Sequence, residues 1–357
     1  VREIVPRRQR LDPEVFRLPV ERIREGYYSD VYFNRTVEVL TADQRHPHVL
    51  MQVFQKQQAV VGGMDESLAI LKLCSDDFSQ LRVHALYDGD AIGPWETALT
   101  IEGDYTLFAR LETVYLGVLS RRTKVATNVR RVVEAADGKQ VIFFPARHDH
   151  HLVQTGDGYA AHVSGAIGVS TDAQASWWGG RGVGTVPHSL IAAYDGDTVL
   201  AARKFADHVT DPAVNIIVLV DWENDCVRTS LEVARALGPR LWGVRLDTSE
   251  TMVDASVVEV MGDFDPRGVT PQLCRLVRHA LDREGFDHVR IVASGGFTVD
   301  KIQRFEREGV PVDAYGVGSA FFQGAYDYTA DVVMVEGRPR AKAGRRYRPN
   351  PRLEPVT

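Results

Sequence analysis

The chain of 357 residues is 44% hydrophobic and 25% charged, the profile of a globular protein with a sizeable core and not of a disordered chain. Its formal charge is −6, and apart from an N-terminal cluster of Arg7, Arg8 and Arg10 and an arginine-rich C-terminus the basic residues are dispersed, which argues against nucleic acid as a partner. Cys74, Cys226 and Cys274 are the only cysteines; odd in number and widely separated, they exclude a CxxC metal or redox pair and a disulfide framework, and a reducing cytoplasm fits them best.

The opening VREIVPRRQRLDPEVFRLPV lacks the apolar stretch of a signal peptide, and no run approaches the roughly eighteen apolar residues of a membrane span, so a soluble protein with no membrane partner is expected. In the first hundred residues TVEVL (36–40) and HVLMQVF (48–54) alternate as strands do, and paired glycines precede a helix-like MDESLAILKLC (64–74). These elements predict a separate α/β domain. Between 105 and 202 the periodicity is weaker, but VIFF (141–144) and SLIAAY (189–194) add apolar runs.

From 214 onward the pattern is clearer. VNIIVLV (214–220) predicts a buried strand ending at Asp221, followed by a helix through Val227, Leu231, Ala234 and Leu237 that stops at Gly238 and Pro239. LWGVRL (241–246) is a second strand, ending at Asp247. Thr270 and Pro271 open a helix with Leu273, Leu276, Val277 and Leu281 on one face, closed by Gly285. HVRIVA (288–293) runs into Ser294, Gly295 and Gly296; Thr298 caps the next helix; a strand over 312–315 leads to Gly316, Gly318 and Ser319. Such β-α-β-α succession implies parallel strands with right-handed crossovers, and the additional apolar runs favour a barrel over an open sheet. After Ala330, DVVMVEG is a strand pattern without a following helix, expected to return to the first domain.

In parallel α/β folds ligands bind where the carboxyl ends of strands converge. Asp221 and Asp247 end two predicted strands; each is equally readable as the N-cap of the helix that follows. Ser294-Gly295-Gly296 and Gly316-Val317-Gly318-Ser319 follow two more strands and form a candidate phosphate cradle, with a purely conformational role for the glycines as the alternative. Gly184-Thr185-Val186-Pro187-His188 supplies an imidazole that can act as acid, base, ligand or phosphate acceptor, although a lone histidine is more often a structural one. In Arg147-His148-Asp149-His150-His151 the spacing favours a polar loop over a metal site.

Taken in order, these segments resemble the nicotinate phosphoribosyltransferase family over about residues 28–346. The resemblance is carried by YSDVYF (28–33), GTVPHSL (184–190), VRLD (244–247), SGGF (294–297), YGVGS (315–319) and VEGRPRAKAGRR (335–346). It implies an incomplete (β/α) barrel of the type II phosphoribosyltransferase kind, residues 113–330, plus a smaller α/β sandwich domain, residues 1–112 completed by 331–357. It implies the joining of nicotinate to phosphoribosyl pyrophosphate in NAD biosynthesis, with ATP and Mg²⁺ as cofactors, in a cytoplasmic homodimer whose active site lies at the interface. His188 matches the histidine phosphorylated by ATP. Asp221, Asp247 and Arg245 match residues around the ribose, base and phosphates, and Thr185 falls with them in substrate binding. Ser294, Gly295, Gly296, Gly316, Gly318 and Ser319 match the loops of the product's 5′-phosphate. Phe144 and Arg147 resemble the aromatic and arginine that stack on the pyridine and hold anions; Tyr32 resembles a tyrosine that reaches across the dimer; Ser170 or Thr171 lies where a hydroxyl meets the nicotinate carboxylate.

The chain also departs from the family. Thr248-Ser249, followed by Glu250, replaces the usual serine-glycine after the VRLD-type motif; paired arginines near Arg147 give way to the histidine run; and the C-terminal cysteine cluster of some relatives is missing, so no zinc or other protein-bound metal is expected. Quinolinate and nicotinamide phosphoribosyltransferases stay open as alternatives, the first disfavoured by the ATP-linked histidine motif and the second kept open by Asp172 beside Ser170 and Thr171. A non-catalytic phosphoribosyl-binding sensor on the same fold is a third.

Overall fold

The computed structural model describes residues 9–357; Arg7 and Arg8 of the basic cluster lie outside them. The chain divides into two compact units, one holding residues up to 127 together with 322–357 and the other residues 128–321.

The first unit opens with α1 (Val20–Arg24) and α2 (Val31–Ala42). Helix α2 includes TVEVL, where alternating valines predicted a strand. The buried pair is Phe33 and Val37, four residues apart, while Val39 is 65% exposed, so the operative period is helical. Strand β1 (His48–Gln55), short β2 (Ala59–Val60), α3 (Met64–Cys74), β3 (Arg82–Ala85), short β4 (Ala91–Ile92) and β5 (Thr97–Asp104) follow. Leu68, Ile70 and Leu71 of α3 pack with Val53, Leu99 and Ile101 of the strands in one core cluster. The N-terminus of α3 is closed by a side chain from outside it: Asp88 Oδ1 accepts from Met64 N at 2.8 Å and Oδ2 from Asp65 N at 3.1 Å. Asp65 in turn accepts from Arg10 Nη1 and Leu11 N, each at 2.9 Å. Burial, together with the neighbouring Asp65 carboxylate, pushes Asp88 up to about 7.

Helix α4 (Glu112–Ala135) begins in the first unit, and the division at 127/128 falls inside it. The second unit continues with β6 (Gln140–Phe143), α5 (Gln154–Val163), β7 (Gly168–Val169), α6 (Asp172–Ala175), α7 (His188–Ala193), α8 (Thr198–His208), β8 (Ile217–Leu219), α9 (Cys226–Leu237), β9 (Gly243–Leu246), α10 (Ala255–Val258), α11 (Pro271–Arg283), β10 (Arg290–Ala293), α12 (Val299–Arg307) and β11 (Ala314–Val317). These strands form one sheet in the order β7-β6-β11-β10-β9-β8, every pairing parallel. Edges remain at β7 and β8, which makes this an incomplete barrel. Buried runs such as IVL in β8 and AYGV in β11 reflect strands covered on both faces. The helix starts follow the expected chemistry: Thr270 Oγ1 accepts from Leu273 N and Thr298 Oγ1 from Lys301 N. SLIAAY, read from the sequence as an apolar run, falls in α7 and its C-cap Tyr194. Only Ile191 in that helix is buried, so the run is not a core strand.

The chain then returns to the first unit. Strand β12 (Tyr328–Val335), which takes in most of DVVMVEG, pairs antiparallel with β1, and β13 (Arg338–Pro339) and β14 (Glu354–Pro355) complete a sheet of order β13-β12-β1-β5-β3-β14. Among the described residues no helix is long and apolar enough to cross a membrane.

Candidate active site

At the carboxyl ends of the parallel strands lies a cavity of about 760 Å³. Its wall includes Phe144 and Arg147 after β6, Ser170 and Thr171 after β7, Arg245 and Asp247 of β9 and its end, Ser294, Gly295 and Gly296 after β10, and Gly316, Gly318 and Ser319 at β11. Thr185 and His188, from the loop before α7 and its first turn, complete it.

Two bonded groups organise the polar side chains. Arg245 Nε donates to Ser294 Oγ at 2.7 Å, its Nη2 lies 3.2 Å from Asp247 Oδ2, and its Nη1 donates to Thr185 Oγ1 at 3.4 Å. The same guanidinium sits 5.0 Å from the Phe144 ring centroid. Ser294 Oγ also donates to Asp247 Oδ1 at 2.7 Å, and the residue is only 2% exposed. Its hydroxyl thus ties Arg245 to Asp247 and faces protein groups. In the second group His188 Nε2 is 3.0 Å from Asp221 Oδ1. That hydrogen bond, against the opposing effect of burial and with help from the Asp247 charge, raises the imidazole above its ordinary value. Asp221 is mostly buried and does not line the cavity wall; it reaches the site through His188. Neither aspartate caps a helix: Asp225 caps α9 and Asp254 caps α10.

The glycine loops show two kinds of constraint. A Cβ on Gly316 would stand 2.7 Å from carbons of the Phe144 ring, so the absence of a side chain lets that ring lie against the backbone. Gly296 has φ +63, a left-handed conformation that side-chain-bearing residues rarely adopt. The hydroxyls of Ser170 and Thr171 donate to Gln174 Oε1 at 3.1 Å and Gln154 Oε1 at 3.0 Å. Tyr32 belongs to the first unit, is 60% exposed, and donates to Asp30 Oδ2 at 3.3 Å; it does not line this cavity.

Several participants carried no usable sequence signal. Gln174, 1% exposed, accepts from both Ser170 N and Ser170 Oγ and so sets that loop. His148 lines the wall beside Arg147 although its run was read as a polar loop. Trp222 places its ring 6.3 Å from that of His188 and is 39% exposed. A glutamine in a short helix or a tryptophan after a strand reads as ordinary surface until a fold brings it to a site.

The comparisons with known proteins agree with this architecture. Residues 30–123 match the family model for the quinolinate phosphoribosyl transferase N-terminal domain. A nicotinate phosphoribosyltransferase of Mycobacterium tuberculosis is 29% identical over 263 residues, 71% of this chain and 54% of that protein. One from Bacillus subtilis is 24% identical over 69% of this chain and 46% of its own. The chain therefore spans about half the length of the curated relatives it matches. The solved nicotinate-nucleotide pyrophosphorylase of Pyrococcus furiosus is 33% identical, with 95% of this chain and 85% of that one covered and a TM-score of 0.81. Human nicotinic acid phosphoribosyltransferase shares the fold at a TM-score of 0.66, 17% identity, and coverage of 88% of this chain and 76% of its own.

A curled parallel sheet in one unit, together with a smaller α/β unit in the same chain, is thus the fold of the type II phosphoribosyltransferases. Within that class, the chain belongs to the nicotinate phosphoribosyltransferase family.

Proposed function

We propose that the protein forms nicotinate mononucleotide and pyrophosphate from nicotinate and phosphoribosyl pyrophosphate, in NAD biosynthesis or salvage, with ATP hydrolysis coupled through His188. The observation that carries this reading is the convergence, in one cavity, of the Arg245-Ser294-Asp247 group, the His188-Asp221 pair and two glycine loops. Displacement of pyrophosphate by the pyridine nitrogen builds positive charge on the sugar and negative charge on the leaving group, and no proton need be removed from the nucleophile. Catalysis then consists of alignment and charge compensation. Asp247, held by Ser294, is set to organise the ribose hydroxyls; Arg245 and Arg147 compensate anionic oxygens; Phe144 offers a ring face to the pyridine.

Ser170 and Thr171 would meet the nicotinate carboxylate by turning toward it the protons they now give to glutamines. Among the described residues no group of three or more His, Cys, Asp or Glu is arranged to hold a metal ion. Asp247, on the cavity wall, would offer a carboxylate to a Mg²⁺ carried by the pyrophosphate, with Asp221 adding negative charge from behind His188, and the ion would supply neutralisation of the leaving charge. With Nε2 engaged by Asp221, Nδ1 is the nitrogen of His188 left to take a phosphoryl group. The exposed Tyr27, Tyr28, Val31 and Tyr32 suit the surface of a homodimer, through which Tyr32 would reach a partner's site.

A quinolinate reading draws support from the name of the matched N-terminal domain model and from that of the Pyrococcus relative. Its second carboxylate calls for a denser basic pocket, whereas Arg245 is already committed to Asp247 and Ser294. Pyrophosphate release measured with nicotinate, nicotinamide and quinolinate, each with and without ATP, separates the readings. Nicotinate is expected to turn over fastest and to be stimulated by ATP. His188→Ala is expected to abolish the stimulation and retain slow ATP-independent synthesis; full stimulation in that variant removes His188 from the scheme.

A further inference from the structure

The hydroxyls of Ser170 and Thr171 belong to one chain of directed hydrogen bonds. Gln154 Nε2 donates to Ala146 O at 3.4 Å, and its Oε1 accepts from Thr171 Oγ1 at 3.0 Å. Thr171 Oγ1 in turn accepts from Gln174 N at 3.1 Å, which caps α6. Gln174 Oε1 then accepts from Ser170 N at 3.0 Å and from Ser170 Oγ at 3.1 Å. The direction of these last two bonds is fixed. A backbone N–H can only donate, so the end of the Gln174 amide beneath Ser170 is its carbonyl, and a hydroxyl bonded to that same oxygen must donate as well. Gln174 is 1% exposed, so solvent does not compete for that carbonyl.

Thr171 is engaged twice, and turning it toward a ligand would also uncap α6. Ser170 would give up one hydroxyl bond only. With its proton on Gln174, Ser170 Oγ offers the cavity lone pairs, which suit an N–H and repel a carboxylate oxygen. Asp172, the other acceptor near this wall, is exposed, accepts from Gly182 N at 2.8 Å and does not line the cavity.

We propose that Gln174 is a specificity-determining residue: by holding the proton of Ser170 it lets the pyridine site take a carboxamide as well as a carboxylate, and so narrows the preference for nicotinate over nicotinamide. The proposal rests on the nicotinate reading above, in which Ser170 touches the substrate, and makes Gln174 the positioning residue behind it. A carboxylate must draw the Ser170 proton away from Gln174, whereas the amide N–H of nicotinamide meets the hydroxyl as it stands. Arg147, on the same cavity wall, favours the carboxylate through its charge. Nicotinate therefore keeps its lead, reduced by the strength of one neutral hydrogen bond, roughly two- to tenfold.

Pyrophosphate release from phosphoribosyl pyrophosphate and nicotinate, with nicotinamide as competitor, tests this; selectivity is read as the inhibition constant of nicotinamide divided by the KM of nicotinate. Nicotinamide is expected to compete on the unsubstituted protein. Gln174→Met, similar in volume but without the carbonyl, is expected to raise the selectivity roughly two- to tenfold. Gln174→Glu, which keeps an acceptor for both Ser170 groups and adds negative charge, is expected to lower it. In a Ser170→Ala background Gln174→Met is expected to leave the selectivity unchanged, an outcome that a merely structural role for Gln174 would not give. A selectivity that does not rise in Gln174→Met, does not fall in Gln174→Glu, or shifts as much without the Ser170 hydroxyl overturns the proposal, as does nicotinamide that fails to compete; each leaves the nicotinate reading intact. An unsubstituted protein that releases no pyrophosphate with nicotinate overturns that reading, and this proposal with it.

Discussion

The two six-stranded sheets of the chain put their polar residues to different uses. In the antiparallel sheet, β1 and its neighbours send successive strand ends to opposite edges, and buried polar groups are consumed in holding chain to chain. Gln52, 2% exposed, donates to Arg346 O and accepts from Arg348 N, both at 2.9 Å, and Asp88 closes α3. In the parallel sheet every carboxyl end points one way, and the loops after β6, β7, β9, β10 and β11 contribute to one wall. Strand direction, more than local composition, decides where chemistry can gather.

The sharpest way to break that contrast is Asp247→Ala. The carboxylate holds Arg245 and Ser294 at the mouth of the parallel sheet, and its loss is expected to lower pyrophosphate release by about 10²–10³-fold with little change in melting temperature. A variant that melts far earlier, with turnover per folded molecule preserved, would make Asp247 a structural residue. In the antiparallel unit the expectation reverses. Leu99→Ala empties a fully buried position of β5 and is expected to cost about 2–5 kcal/mol in denaturant unfolding; a loss below about 1 kcal/mol would mean this core is less tightly packed than the burial implies.

The smallest expected effect concerns pH. Asp88 is raised to about 7 by burial and by Asp65, so its folded form binds protons that the unfolded chain releases. Its contribution to stability is complete below the ordinary aspartate range, near pH 4, and disappears as pH climbs through about 7. Asp88→Asn, which keeps an oxygen acceptor for α3, is expected to flatten that decline. An unaltered pH profile of the melting temperature would show that Asp88 is not its source.

Local rules captured much of the barrel half because its signals are local. Thr270 and Thr298 are caps, Gly238 follows α9 at φ +54, and the apolar runs of β8 to β11 are strands. Valine alternation misled at TVEVL because Val37 is buried and Val39 exposed by helical geometry, and SLIAAY was legible only as an apolar run because apolarity without periodicity does not separate helix from strand. The aspartates could be placed at strand ends but not freed from the capping alternative; that required seeing Asp225 and Asp254 take the caps. His148 against Gly318, Glu250 against Gly296 and Gln174 beneath Ser170 depend on how loops fold over one another, a property that no window of sequence contains.

The placement of Trp222, with its indole 6.3 Å from the imidazole of His188, has a practical consequence. A nearby imidazolium quenches indole emission more strongly than a neutral ring does. In a variant that keeps Trp222 as its one tryptophan, replacing the other four, indole emission is therefore expected to follow the protonation of His188.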